Sequence, residues 1–394
     1  GITGLGTTYN LPNYTGVLHQ LSPTSTPFFS TIGGLSSGGG QVTSTEFEWQ
    51  GSDLRKPGQN TAVQGAAAPS AQNRVRKNFT NVVEIHQERV SVAYTKQAAF
   101  GLKSGTNNDQ TNPILNEVDW QTRQMLTQMV KDANWSFING VYQKPTDNTT
   151  AAQTRGLIPA ITTNVAASNS DVLKYTGFTS ATDTITGTHA LAVNDKVVFT
   201  AAANVQALGI ELGRVYWVTS VSTTVSFKVA NSKGGAPVVV GTGTGINLTK
   251  GSATAITRDQ VNGLAQQVFD NGGINDELSA VFLVNSTQKI NLSKAYTTQF
   301  QDDNRTMGGV SMSTIITDFG TLGVMVDRAV PQDTIILASL GECSPVYLEV
   351  PGKGHFFAEP LAKTGASDDV QLYGEVGLAY GAESSHGILQ GCSL

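Results

Sequence analysis

Apolar and polar positions alternate with period two through "TEFEWQ", where Phe47 and Trp49 face away from Glu46 and Glu48, the pattern of a half-buried strand. In "NFTNVVEIHQERVSVAYT", Phe79, Val83 and Ile85 fall on one face and Glu84, His86 and Glu88 on the other. The two runs are predicted to pair as the legs of a hairpin, with the four glutamates on its wet face. Between them, "GSDLRKPGQNTAVQGAAAPSAQNRVRK" holds almost no large apolar side chain. A loop of that length is functional or disordered. An isolated hairpin is marginal in water, so this one is expected to lie on a neighbour.

The period changes in "NPILNEVDWQTRQMLTQMVKDANWSFINGVY". Pro113 stands in the first turn, and Leu115, Val118, Met125, Leu126, Met129, Ala133 and Phe137 recur at three- and four-residue steps. This predicts a long amphipathic helix over 112–142. From about Ser168 to Ser252 charge nearly vanishes, and short strand-like runs such as "DKVVFTA", "RVYWVTSV", "VSFKVA", "PVVVG" and "GINLT" follow one another between turn residues, as in a small all-β module inserted into a host domain. The host resumes with a helix around Val261 to Phe269, a buried strand "AVFLVN" and a helix from about Ser286 to Ala295. That order suggests an α+β layer. The runs "MSTIITDFGTLGVMVDRAVPQDTIILA", "SPVYLEV", "DVQLYGEVGLAYG" and "HGILQG" read as strands of a terminal sheet. The fold class is therefore mixed α+β with one all-β insertion.

Near the amino terminus, "HQLSPTSTPFFSTIGG" combines Pro23 and Pro27 with the adjacent Phe28 and Phe29. The prolines predict an extended or turning segment and no helix. Neighbouring residues of an extended chain face opposite ways, so the two phenylalanines are not expected to enter one local core. A second chain, or a distant part of this one, is needed to cover one of them.

Composition narrows the function classes. Only 14% of the 394 residues are charged, and the net charge is −5 with a pI near 5.6. A protein that grips phosphate backbones shows a basic footprint, so contact with nucleic acid is expected to be weak and non-specific. The polar positions are dominated by Thr, Ser, Asn and Gly, which suits large uncharged contact surfaces. Cys343 and Cys392 are too few for a disulfide scaffold, so both are expected to be reduced. There is no apolar run of membrane-spanning length, and "GITGLGTTYN" lacks the features of a secretory signal. The expectation is a protein that works in solution.

Candidate chemistry is sparse. His19, His86, His189, His355 and His386 are scattered, and no zinc, P-loop or nucleophile-elbow motif is present. No cofactor, metal or catalytic residue is expected. The run "VVVGTGTGINLTK" has no following helix to make a phosphate cradle and reads as strand and turn. Asp302 and Asp303 lack the spacing of a calcium loop and read, with Asn304, as a solvated loop. Arg55, Lys56, Arg74, Arg76 and Lys77 stand at the two sides of the long hairpin loop. With few aromatics to stack bases, they read as a charge set that meets an acidic neighbour.

The text "LSPTSTPFFSTIGG" followed by "TEFEWQGSDL", together with "STIITDFGTLGVMVDRAVPQDTIILA" and "GEVGLAYGAESSHGILQG", resembles the major capsid proteins of tailed bacteriophages. Encapsulin shells and herpesvirus capsid floors share that fold. The stretch "RVYWVTSVSTTVSFKVANSKGGAPVVVGTGTG" separately resembles an immunoglobulin-like module of phage structural proteins, which usually projects from the shell. The resemblance implies an amino-terminal arm over 1–40, an extended hairpin loop over 41–95 and a peripheral domain over 96–167 with its spine helix at 112–142. It further implies the inserted β-domain at 168–252, a mainly axial domain at 253–330 and a return to the peripheral sheet at 331–394. It implies self-assembly into pentamers and hexamers of an icosahedral head enclosing double-stranded DNA, assembled in the host cytoplasm, with no membrane and with portal, scaffolding and decoration proteins as further partners. Phe28, Phe29, Arg55, Lys56, Arg74, Arg76 and Lys77 are the expected inter-subunit contacts. Lys56 lies in the region where some relatives crosslink, but no partner residue matches, so no crosslink is expected. The alternative from another class is a surface protein that binds carbohydrate or a receptor through its β-module.

Overall fold

The computed structural model describes residues 20–35, 40–98, 116–168, 172–181, 183–203, 205–222, 225–274, 280–296, 304–307, 310–363 and 365–394. Pro113 and Leu115 of the predicted helix, and Asp302 and Asp303 of the acidic cluster, lie outside them. Two compact units emerge. One is drawn from described residues within 1–25, 85–133 and 349–375, and the other from those within 26–84, 134–348 and 376–394.

In the first unit the strand Phe356–Pro360 pairs antiparallel with Ser367–Ala379, Phe356 opposite Gly374 and Pro360 opposite Val370. The strand Glu84–Ala93 joins the same partner. A small core gathers Val90, Val92 and Leu372 with Val118, Met125, Leu126 and Met129 of the long helix, so the three- and four-residue spacing does form one apolar stripe. The helix itself runs Glu117–Asn139. Asn116 starts it, its Oδ1 accepting from the amides of Val118 at 3.1 Å and Asp119 at 3.3 Å, which satisfies donors that a first turn leaves free.

The second unit is organised on a seven-stranded sheet. Its central strand, Ala280–Val284, is buried at every position. It lies parallel to Gly320–Val326 and antiparallel to Ile335–Ser339. Beyond Gly320–Val326 follow Val310–Thr317 and Asn304–Met307, and beyond Ile335–Ser339 follow Gly387–Gln390 and Val165–Ala167. A strand apolar on both faces needs cover on both. Part of that cover is the helix Arg258–Asp270, whose Val261, Leu264, Ala265 and Val268 enter the core with Phe282, Val324 and Leu337. Thr257 and Gln260 close a capping box at its start, a sequence-encoded helix signal. The helix Ser286–Tyr296 adds Leu292 and Tyr296.

The carboxy-terminal strands do not form one terminal sheet. Val310–Thr317, Gly320–Val326, Ile335–Ser339 and Gly387–Gln390 belong to the seven-stranded sheet, whereas Ser344–Leu348 pairs with Val376–Ala379 and, in parallel, with Gly40–Val42. The division expected at residue 330 therefore falls inside a hydrogen-bonded sheet, because Ala280–Val284 pairs directly with Ile335–Ser339.

Residues 173–250 hold six strands that close on themselves in the order Ser226–Ala230, Thr184–Thr186, Leu173–Ala181, Gly243–Lys250, Lys196–Ala201 and Val215–Ser222. This is a closed barrel, which departs from the two packed sheets of an immunoglobulin-like sandwich. Gly243–Lys250 pairs with Leu173–Ala181 and Lys196–Ala201, and the ring closes because Ser226–Ala230 pairs with both Thr184–Thr186 and Val215–Ser222, which leaves no free edge. Phe178, Phe199, Phe227, Val218 and Ile246 fill its interior. "PVVVG" contributes buried Val240 but no strand.

Candidate assembly surfaces

The hairpin forms with Glu46–Ser52 antiparallel to Arg76–Val82, in a register that sets Trp49 opposite Phe79 and Ser52 opposite Arg76. It ends earlier than the alternation predicts. Val83 belongs to no strand and donates its amide to the carbonyl of Thr45 at 2.9 Å, and Val82 and Val83 are both buried. This break reverses the phase: Glu84 turns inward at 8% exposure and Ile85 outward at 55%. Glu84 is thus not on a wet face. Its Oε2 accepts from the amide of Thr154 at 3.1 Å, which offsets part of the cost of burying a carboxylate.

The root of the hairpin is fixed by aromatic rings. The ring of Trp49 stacks on Phe47 at 5.9 Å and on Phe79 at 6.1 Å, and meets Tyr380 edge-on at 4.9 Å. Its indole N–H donates to the carbonyl of Gly381 at 2.8 Å. Asn81 adds a second tie: its Nδ2 donates to the carbonyls of Leu378 at 2.7 Å and Arg155 at 3.1 Å, while its Oδ1 accepts from the amide of Arg155 at 2.8 Å.

Beyond this root every residue from Ser52 to Asn78 is exposed. Arg55, Lys56 and Arg74 stand on that loop, and Arg76 and Lys77 on the start of its return strand. Arg76 donates to Gln50 Oε1 at 3.0 Å, and Lys77 lies over the ring of Phe79 at 5.3 Å. Among the described residues, none of the five cations is held by an ion pair within the chain. The loop also carries Leu54, Val63 and Val75 at 80% exposure or more.

The amino-terminal segment differs from its expectation. Pro27–Thr31 is a short helix with Pro27 in its first turn, a position where the missing N–H costs nothing and the fixed φ suits the helix. Helical geometry also lets successive residues share one core. Phe28 and Phe29 are both buried, at 0% and 1% exposure, and Phe29 packs on Phe137 of the long helix at 5.4 Å. Their cover is therefore a distant part of the same chain, and no surface of either ring is left for a neighbour in this conformation. The amide of Phe28 donates to Asp327 Oδ2 at 3.1 Å, and the amide of Phe29 to Asn134 Oδ1 at 3.0 Å. Burial pushes the Asp327 carboxyl up, against the pull of the amides of Ala329 and Phe28 and of Asn134.

His386 is fully buried, its Nδ1 accepting from the amide of Ser339 at 3.1 Å and its Nε2 lying 2.7 Å from the carbonyl of Tyr380. Burial holds it below the usual histidine range. Cys343 and Cys392 are free and buried, and burial pushes the Cys343 thiol up to about 12. Among the described residues no group of three or more His, Cys, Asp or Glu side chains is placed to hold a metal ion.

The family model described as the SU10 major capsid protein matches residues 1–393. The chain belongs to that family. It is the major capsid protein of a tailed-phage head shell, and its place is the virion capsid. Among solved structures, the capsid of cyanophage A-1(L) is similar with a TM-score of 0.56 at 12% identity, over 100% of this chain and 99% of that one. The two share the fold. An encapsulin of the holo-SrpI complex from Synechococcus elongatus PCC 7942 aligns with a TM-score of 0.49 at 11% identity, over 97% of this chain and 93% of that one. Mycobacterium phage Cain gives 0.45 at 13% identity, over 98% and 96%. No curated protein matches the sequence.

The sequence did not single out Trp49, Asn81, Asn134 or Asp327 as anchors. Of the seven predicted contact residues, the structure gathers Arg55, Lys56, Arg74, Arg76 and Lys77 on one hairpin and places Phe28 and Phe29 inside the subunit.

Proposed function

We propose that the subunit closes into pentamers and hexamers of an icosahedral shell around double-stranded DNA, with the hairpin loop as its main reach toward a neighbour. The observation that carries this reading is the contrast along one hairpin. A root locked by four aromatic rings emits a stretch, Ser52 to Asn78, in which every residue is exposed. Leu54, Val63 and Val75 are exposed there, and among the described residues Arg55, Lys56 and Arg74 are held by no ion pair within the chain. Laid on an adjacent subunit, they add area beyond a standard pairwise interface of about 1,600 Å², and Arg55, Lys56 and Arg74 meet acidic groups there. Identical head-to-tail contacts repeated around an axis close into rings. Phe28 and Phe29 leave the contact set, because their own chain covers them.

In this reading 168–252 is an inserted barrel domain, 41–95 the extended loop region, and the parts around 96–167 and 253–330 the peripheral and mainly axial domains. Assembly takes place in the host cytoplasm with portal, scaffolding and decoration proteins as partners, and packaged DNA touches a chain of net charge −5 weakly. The test is expression of the full chain followed by sedimentation and negative-stain microscopy. Closed shells support the reading. A chain that stays a folded monomer under all assembly conditions refutes it.

A further inference from the structure

The helix that carries Phe28 and Phe29 is five residues long, far too short to hold itself in water. Its own cap is missing: Thr26 makes no side-chain capping bond and Pro27 has no N–H. The next two amides are satisfied from far along the chain, by Asp327 and Asn134. Asn134 stands near the end of the long helix, and Asp327 directly follows the strand Gly320–Val326. Nδ2 of Asn134 lies 3.1 Å from both carboxylate oxygens of Asp327, and the amide of Ala329 donates to Oδ1 at 2.8 Å. Both side chains are buried, at 3% and 1% exposure. The three amides and two side chains form one node in which losing either side chain strands buried donors, and a stranded donor costs more than the bond itself is worth. The two bonds that hold the segment do not exist until it has met both the long helix and the residue that follows the sheet strand.

We propose that Asn134 and Asp327 are positioning residues for shell assembly, a latch that seats the amino-terminal segment only on a completed subunit core. The segment at Thr26 is then anchored only after the core has folded, so an assembly step that needs this anchor waits for folding. This inference rests on the assembly reading proposed above.

Hydrogen exchange of the full chain, read at the amides of Phe28 and Phe29 and at those of the central strand Ala280–Val284, separates the latch from the core. In Asp327→Ala the two helix amides are expected to exchange at least tenfold faster than in the unaltered chain, with the central strand unchanged and particle yield down at least tenfold. Asn134→Ala serves the same comparison if Asp327→Ala does not fold. The double exchange Asn134→Asp with Asp327→Asn, which keeps one donor and the acceptors in the node, is expected to restore part of the protection and of the yield. A residue that merely fills space gives no such rescue. Unchanged exchange at Phe28 and Phe29 in both single variants overturns the latch, as does a loosened helix with full particle yield. If the unaltered chain forms no particles, the assembly reading fails, and the exchange data still decide whether the latch exists.

Discussion

The strand Ala280–Val284 and the loop that joins Ser52 to Arg76 are opposite uses of sequence in one unit. In the strand all five residues are buried, each hydrogen-bonded sideways to a neighbouring strand. In the loop no residue is buried, and no strand or helix forms between Ser52 and Arg76. The strand's residues are explained by the chain itself, through core packing worth roughly 1.5–3 kcal/mol per large side chain. The loop's are not. A loop of more than twenty residues is entropically tolerable, but among the described residues no ion pair holds Arg55, Lys56 or Arg74, and Leu54, Val63 and Val75 are exposed. The assembly reading proposed above assigns them to a neighbouring subunit.

That contrast can be broken at several points. The largest effect is expected from Phe28→Ser combined with Phe29→Ser. Each replacement empties a fully buried ring site, at roughly 3–5 kcal/mol, so denaturant unfolding and particle assembly should fail together. Assembly lost from a chain of unaltered stability would instead return the pair to the contact set. Next comes Trp49→Ala, expected to cost about 3 kcal/mol in urea unfolding and to free the hairpin root. Trp49→Phe, which keeps an aromatic ring but loses the bond to Gly381, should cost about 1 kcal/mol.

A smaller effect follows from His386. Its folded pKa lies below the unfolded value of about 6.5, so the unfolded chain binds the extra proton first and stability falls as pH drops below that value. His386→Gln should flatten the fall of the thermal midpoint between about pH 7 and pH 5 relative to the unaltered chain. Asp327 and Asp333 act in the opposite sense, since burial raises both carboxyls. Their contribution to stability is lost as pH rises through their folded values. The smallest change in subunit stability, within about 0.5 kcal/mol, is expected from Arg55→Glu, Lys56→Glu and Arg74→Glu together. Assembly should nevertheless weaken and change its salt dependence, measured by light scattering across ionic strength.

Much of this division was legible in the sequence. The three- and four-residue spacing from Val118 to Phe137, the helix around Val261 to Phe269 and the unbroken apolar run of Ala280–Val284 each follow from a local rule, and each formed as expected. What escaped depended on distance. Whether "SPVYLEV" and "HGILQG" share a sheet is not written in either segment, because strand patterning encodes burial and not partner choice. The cap of the Pro27–Thr31 helix comes from residues 105 and 299 positions beyond those it serves, out of reach of any local signal. One local signal was available but misread. Pro27 stands where proline starts helices as readily as it stops them, and only the covering core decides between the two. The phase break at Val83 shows the same limit: two adjacent buried valines fit neither an alternating strand nor a turn motif.

The most direct test removes the loop and leaves its root. Because Ser52 stands opposite Arg76, residues 53–75 can be replaced by Asn-Gly, a two-residue turn that suits an antiparallel pair. Thermal unfolding of the shortened subunit, with particle yield by sedimentation, gives both halves of the comparison. An unfolding midpoint equal to that of the full chain, with no closed shells, is expected. Shells formed at full yield by the shortened chain would contradict it.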